Sequence, residues 1–434
     1  MKQERKFMLT YQDYLNRIAE GGDIAGFIEE AVRDHQSSEL YKTAVLCDRY
    51  YHLENPTIMR YQKLMHTMAG YAVPDNWSPN NKIPSNWYYY FTTQAVGHLL
   101  ANGVFFEKPD TRARLGRDFD RRLVELASEA KNGGMSFGFM NGDRIDVFTV
   151  RDFVPLFDAF SGKLRAGIRF VELSPALGIS FTMYEADGYT DFSKEPGGEI
   201  YQSDEKKPYA AVKVAVGDKL PIVPLFNTLR QSDIAGNRYV IDAYDLMASG
   251  LVNNVDEGNF IYWILRNCDG MNESDDAKFI DQLRRLHFAH ADGDDNSAVE
   301  SHVVETPFEA HSAALDRLER QLFINFMAVD VHSISAGNKT ATEIRAAYEP
   351  LNAKTDLFEY EVADFIYGIL DLCGIDDTPV FKRSQVANQL EDTEMIIAAA
   401  DYLDAEAVLK KLPWLSVDEA DAILERKRGK GENL

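Results

Sequence analysis

From Arg238 to Asn267 the chain runs about thirty residues without a proline, on one helical period. Val240, Tyr244, Met247, Leu251 and Val255 recur every three or four residues and fall on one face. Asp242, Asp245, Ser249, Asn253 and Asp256 recur at similar spacing and make a second, polar face. At 1.5 Å per residue the predicted helix is roughly 45 Å long, more than a globular domain ordinarily needs. Such a helix is a strut, or it lines a passage. The acids on its polar face need no catalytic role, because one solvated helix face explains them.

Two more long helices follow. Thr306-Pro307-Phe308-Glu309 is a capping box with proline at the first helical position. Leu315, Leu318, Leu322 and Phe326 continue it as an apolar stripe. Thr340-Ala341-Thr342-Glu343 opens the next helix, which carries Ile344, Tyr348, Leu351, Phe358, Val362, Phe365 and Ile369. Gly374 is placed to end it, and Pro350 inside it removes one backbone donor and predicts a kink. Between the two helices, His332 to Lys339 is small, polar and glycine-containing, as a mobile connecting loop would be.

Upstream the sequence is helical to about residue 70, with Asp23 and Ser38 as caps. Ser85 and Asp110 are placed to cap two more helices, the second continuing to Gly133-Gly134. The period then changes to two. A hairpin is expected across Asn141-Gly142, followed by strands at Val154–Phe157, Gly167–Val171, Ile179–Tyr184, Tyr189–Phe192, Ala211–Val216 and Ile222–Leu225. Residues 268–306 form an insert between the long helices. A strand from Pro379 is expected to return to the β-rich part, and residues 390–427 are helical again.

The chain has 434 residues, enough for two or three domains, and 45% of them are hydrophobic. It contains no apolar run long enough for a membrane span, and no apolar core follows the charged N-terminus. Three scattered cysteines argue against a disulfide framework and fit a reducing compartment. The net charge of −23 argues against gripping nucleic acid, though an acidic wall would let DNA slide past. On composition alone, solubility is the simpler explanation. No catalytic constellation stands out. His287 and His290 lack a matched third ligand, and Gly337-Asn338-Lys339-Thr340 lacks the upstream glycine and strand of a phosphate loop. The aromatic run Trp87–Phe91 sits at core spacing. Neither cofactor nor metal is implied.

Several segments resemble the portal proteins of tailed double-stranded DNA bacteriophages, the siphophage-type group. They are Asn81-Lys82-Ile83-Pro84 through Ala101-Asn102-Gly103-Val104; Asp152 to Asp158 with Ala166 to Phe170; and Leu220 to Asn227 leading through Ser232-Asp233-Ile234 to Ile241-Asp242-Ala243-Tyr244-Asp245. Ser249 and Asn253-Asn254-Val255-Asp256-Glu257 extend the last, most specific run. The resemblance implies an α+β portal fold: an α/β wing, long stem helices, a small clip insert, a kinked helix and a short helical crown. Carried onto this sequence, the wing is 1–236 with a returning strand at 376–388. The stem helices are 237–267 and 307–331, with the clip at 268–306 between them. The tunnel loop is 332–340, the kinked wing helix 341–374 and the crown 389–434.

The resemblance also implies a role: a non-enzymatic ring of about twelve copies at one capsid vertex. Double-stranded DNA is packaged and ejected through it. The implied partners are the terminase large subunit, the head-tail adaptor, and the major capsid and scaffolding proteins, with no membrane. The implied location is the virion, with the host cytoplasm during assembly. Ser333, Ser335, Gly337, Asn338 and Lys339 would face DNA from the tunnel loop. Asp242, Asp245, Ser249, Asn253 and Asp256 would be the wet face of a stem helix. Two other readings stand beside this one: an intracellular α+β enzyme dimerising through its long helices, and a helical scaffold without a bore.

Overall fold

The computed structural model describes residues 9–66, 70–76, 78–142, 144–174, 176–209, 219–257, 261–266, 298–303, 308–335, 340–383, 396–412, 415, 420, 422–424 and 426. The helices are α1 (Tyr11–Ala19), α2 (Ile24–Ser37), α3 (Glu39–Tyr51), α4 (Pro56–Arg60), α5 (Trp87–Leu100), α6 (Pro109–Leu115), α7 (Phe119–Gly133), α8 (Arg238–Glu257), α9 (Phe308–Phe326), α10 (Val331–Ser335), α11 (Ala341–Leu372) and α12 (Ala405–Lys411). The strands are β1 (Leu64–His66), β2 (Ala72–Pro74), β3 (Val104–Phe106), β4 (Met135–Asn141), β5 (Arg144–Thr149), β6 (Phe153–Phe157), β7 (Leu164–Ser174), β8 (Gly178–Glu185), β9 (Gly188–Lys194), β10 (Ile200–Gln202), β11 (Ile222–Phe226), β12 (Ile261–Arg266), β13 (Ala298–Val303) and β14 (Pro379–Phe381). They divide into two units. The first holds 1–53, 86–237 and 323–434; the second holds 54–85 and 238–322.

The first unit is built in layers around two antiparallel sheets, ordered β10-β9-β8-β7-β6 and β11-β4-β5. The central strand β4 is buried on both faces, as its near-continuous apolar sequence requires. Met135, Phe137 and Phe139 point to the five-stranded sheet, where the Phe137 and Phe153 rings stand 4.6 Å apart. Met140 and Ile145 point the other way, into a core with α5, α7 and α11. That approach is close. A Cβ at Gly138 would lie 2.6 Å from the Phe365 ring, and one at Gly368 only 2.7 Å from Val223. The second face of the five-stranded sheet, with Val154, Leu156, Ile168 and Met183, is covered by Phe27, Ile28 and Ala31 of α2. The strand positions alternate between these two cores, so the period of two read from sequence is the layer order itself.

A buried ion network fastens the layers. The Asp233 carboxylate lies 2.7 Å from Lys354 Nζ on α11 and 3.7 Å from Lys131 Nζ on α7. Burial acts to raise the Asp233 pKa, but the two cations outweigh it and hold the carboxyl down at about 2. Lys131 is the under-compensated member. Burial pushes it down to about 8, although Asp233 opposes this. Its ammonium also reaches Asn227 Oδ1 at 3.1 Å and lies 3.9 Å over the Phe358 ring. The Asp233 amide donates to the Lys131 carbonyl, which pins the chain four residues before the first unit gives way to α8.

The helix caps at Ser38, Thr340 and Gly374 are as the sequence predicts, and so is the Asn141-Gly142 turn, with Gly142 at φ +68°. Asp23 caps α2 by position only, with no side-chain hydrogen bond, and Asn86 rather than Ser85 caps α5. The helix expected from Asp110 to Gly133 is broken at Gly116, whose φ of +89° no continuing helix can adopt. β14 returns to pair with β3 in a separate two-stranded sheet, not with the main sheets. The predicted strand Ala211–Val216 lies outside the described residues, as do most of the insert and much of 389–434.

The long helices are shorter than read. α8 ends at Glu257, and 261–266 is strand β12, paired antiparallel with β13. Isoleucine, tyrosine and tryptophan at 261–264 favour a pleated chain, and β13 supplies its ladder hydrogen bonds. α9 stops at Phe326 rather than 331. Met327 turns to φ +51°, and the Ala328 amide closes the end on the Phe323 carbonyl. α11 runs unbroken through Pro350 for 32 residues.

Asp233→Asn removes the only carboxylate of the network and leaves two cations facing each other. It should cost about 3 kcal/mol in urea unfolding. With the folded pKa below the unfolded one, the Asp233 contribution is full above about pH 4 and is lost as pH falls toward 2. The gap between wild type and variant should close over that window.

Candidate functional site

The second unit is organised by α8 and a strip of extended chain from Asn81 to Ser85. Asp245 is completely buried. Its Oδ2 accepts a 2.7 Å hydrogen bond from Asn55 Nδ2, and its Oδ1 accepts from the Ser85 amide at 3.1 Å. One turn on, Ser249 Oγ accepts from the Ile83 amide at 3.0 Å and donates to the Asp245 carbonyl at 2.7 Å. One turn further, Asn253 Oδ1 accepts from the Asn81 amide at 2.7 Å, and Asp256 accepts from Asn81 Nδ2 at 2.6 Å.

The spacing has a simple origin. Two residues of extended chain advance about 6.6 Å, and four residues of helix about 6 Å. Polar groups at 245, 249 and 253 therefore register with alternate residues 85, 83 and 81 of an antiparallel strip. Among the described residues the strip has no strand partner, and helix side chains satisfy its backbone amides. Lys82 closes the arrangement by donating to the Met59 and Tyr61 carbonyls at the end of α4.

This reverses the expected orientation of α8. The polar face is wet only at its far end: Asp245 and Ser249 are buried and Asp242, 13% exposed, stands 3.9 Å from Arg238, whereas Asn253 is half-buried and Asp256 is exposed. The stripe Val240, Tyr244, Met247, Leu251 and Val255 has no fully buried member, and Val255 is 52% exposed. Periodicity separates two faces but cannot say which one finds partners elsewhere in the chain. Burial raises the Asp245 pKa, and the Ser85 and Asn55 donors oppose that rise. The residues missed in sequence, Asn55 and Ser85, carried only a weak signal: an asparagine-rich turn facing Asn253 and Asn254.

Of the proposed tunnel loop, residues 332–335 lie in the single helical turn α10, so Ser333 and Ser335 are on helical backbone rather than in an open loop. Gly337, Asn338 and Lys339 lie outside the described residues. Thr340 forms the predicted capping box with Glu343, the Thr340 amide donating to Glu343 Oε2 at 2.9 Å. The loop belongs to the first unit and the α8 polar residues to the second.

Nothing in these residues suits bond-breaking chemistry. The cleft beside α8, lined by Tyr61, Asn81, Lys82, Leu246 and Asn253 among others, holds ≈ 180 Å³, small for a cofactor. Among the described residues no three His, Cys, Asp or Glu side chains are grouped to hold a metal ion, and no helix is long and apolar enough to cross a membrane. Within the aromatic run 87–91, Tyr88 and Phe91 are core, with Phe91 stacked on Phe326 at 4.6 Å, while Tyr89 is 44% exposed.

Asp245→Ala leaves the Asn55 amide and the Ser85 N–H without their acceptor. It should cost about 2 to 3 kcal/mol. Hydrogen exchange at Asn81, Ile83 and Ser85 should quicken together, because the three amides are held by consecutive turns of one helix. Unchanged exchange would show that the strip is held by other contacts.

The family model described as phage portal protein, SPP1 Gp6-like, matches residues 32–432. The portal protein of Clostridium phage phiCD119 is 22% identical over 391 residues, covering 80% of this chain and 85% of that protein. The portal protein of Bacillus phage SPP1 is 23% identical over 436 residues, covering 91% and 84%. Among solved structures, the neck of an empty gene transfer agent particle computed with C6 symmetry aligns over 76% of this chain and 90% of its own, with 11% identity and a TM-score of 0.47. The neck of the native particle computed with C12 symmetry gives 12% identity, the same coverage and a TM-score of 0.45. The family is a structural component of the capsid, not a class of enzymes. With nearly the whole length matched, this chain belongs to the SPP1 Gp6-like family of phage portal proteins.

Proposed function

We propose that copies of this chain close into a ring of about twelve subunits at one capsid vertex and enclose a passage for the double-stranded genome. DNA enters through it during packaging and leaves through it on ejection. The terminase large subunit docks on the ring first and the head-tail adaptor replaces it, both at the insert 268–306. Major capsid and scaffolding proteins surround the ring. Assembly takes place in the host cytoplasm, and the finished ring stays in the virion. In this reading 1–236 is the wing, α8 and α9 are the stem, α11 is the kinked wing helix and 389–434 is the crown.

The observation that carries this reading is the family match across residues 32–432, and the orientation of α8 supports it. A helix whose polar face is filled by its own chain, and whose apolar face stands half open, is suited to a neighbour along that second face. On that face Val240, Tyr244, Met247 and Leu251 are half-buried and Val255 is 52% exposed. A net charge of −23 per copy favours a bore that repels the DNA backbone and so lets it move. With Asp245 and Ser249 turned inward and Asp256 an exposed anion, α8 offers the DNA backbone little for adhesion. Lys339, in the loop segment, is the residue assigned a transient contact with phosphate.

Negative-stain micrographs of the purified protein should show rings with a central hole. Compact dimers would favour the enzyme reading, and rods without a hole the scaffold. Removing Ser333 to Asn338 should leave ring formation intact and reduce the DNA packaged per head. Normal packaging in that deletion would refute the role given to the loop.

A further inference from the structure

Two aromatic side chains of the first unit, Phe160 and Tyr402, stand almost entirely in solvent, and Phe160 is the one carried on a tightly closed hairpin. Phe160, at the tip of the β6–β7 hairpin, is 90% exposed. The tip is tightly closed. Asp158 Oδ1 accepts from the Phe160 and Ser161 amides, both at 2.8 Å. The Asp158 amide donates to the Lys163 carbonyl, and the Gly162 amide returns to the Asp158 carbonyl, each at 2.9 Å. Gly162 takes φ +67°, which the turn requires. A phenyl ring held this way in water gains nothing for the fold and has little order left to lose on binding. Beside it stand Lys163 and Arg165, both exposed. Neither forms an ion pair among the described residues, although Arg165 is near enough to Asp158 to add to the backbone donors that hold its carboxyl down.

The same unit carries a surface of matching chemistry. On α11, Leu357, Tyr360 and Tyr367 recur at helical spacing on the outer face, and are 56%, 72% and 46% exposed. Asp364 stands among them, exposed and without an ion pair among the described residues. Glu361 lies one turn before it; burial raises the Glu361 pKa, Arg230 opposes the rise and Asp364 adds to it, so Arg230 partly answers Glu361 and leaves Asp364 as the more open acid. The hairpin belongs to the sheet on the Phe137 face of β4, and α11 packs on the Gly138 face. The two surfaces therefore belong to layers on opposite sides of one sheet. Two different, complementary surfaces on one subunit are what a head-to-tail contact needs in order to repeat around a ring.

We propose that the Phe160 hairpin of one copy docks on the Leu357–Tyr367 face of α11 in the next copy. Phe160 packs between Tyr360 and Tyr367, and Lys163 and Arg165 face Asp364. In a chain carrying −23, such a contact sets cations against anions where like-charged copies meet. The contact rests on the ring assembly proposed above.

The test is sedimentation velocity of the full chain over a concentration series. Phe160→Asp, and separately Lys163→Glu with Arg165→Glu, should raise the concentration at which rings form by about tenfold or more. Asp364→Lys should do the same alone. Combined with the double charge reversal, it should bring assembly back toward wild type. All these positions are exposed, so melting of the dissociated subunit should not change. Wild-type assembly in Phe160→Asp, or no restoration in the combined variant, overturns the contact and leaves the ring. A wild-type chain that stays monomeric at every concentration overturns both.

Discussion

A buried carboxylate has to be met by donors, and Asp245 meets its donors in only one orientation of α8. Rolling the helix would carry Asp245 away from Asn55 and Ser85, Ser249 away from Ile83, and Asn253 away from Asn81 at once. The register works because four residues of helix and two of extended chain advance almost equally. The apolar stripe is then left half-covered, with Val255 the most open of its members. A pattern that in a monomer would mark the core becomes, in this chain, the surface left open to other molecules.

The first unit solves a different problem. It stacks two sheets and two helical layers, and a strand buried on both faces has no tolerance for a loose neighbour. Gly138 and Gly368 let α11 approach closer than any side chain would allow. Lys131, Asp233 and Lys354 tie α7, the turn before α8 and α11 together, with two cations sharing one anion. Lys131 retains part of its desolvation cost, offset by Asn227 and the Phe358 ring. Such a platform suits a subunit that must hold its shape while DNA moves past.

Family membership and local geometry contribute different things. The match over 32–432 says what kind of machine the chain belongs to. The geometry says which of its surfaces are already used within one copy, such as the α8 polar face, and which remain open, such as the α8 stripe, the Phe160 tip and the outer face of α11.

Much of the architecture was legible in sequence. The caps at Ser38, Thr340 and Gly374 depend on side chains or backbone freedom within one turn of themselves, so local chemistry decided them. The strands from Met135 to Phe192 were legible because two buried faces impose a period of two. What could not be read depended on residues distant in sequence. The end of α8 at Glu257 reflects the pairing of β12 with β13, thirty or more residues apart. β14 joined β3 because a partner some 275 residues away had an open edge. The polar residues of α8 were legible as a face, while their burial was settled by Asn55 and Ser85, more than 150 positions upstream. Sequence fixes which groups are polar and how they are spaced. Only the folded chain decides whether water or another part of the same molecule answers them.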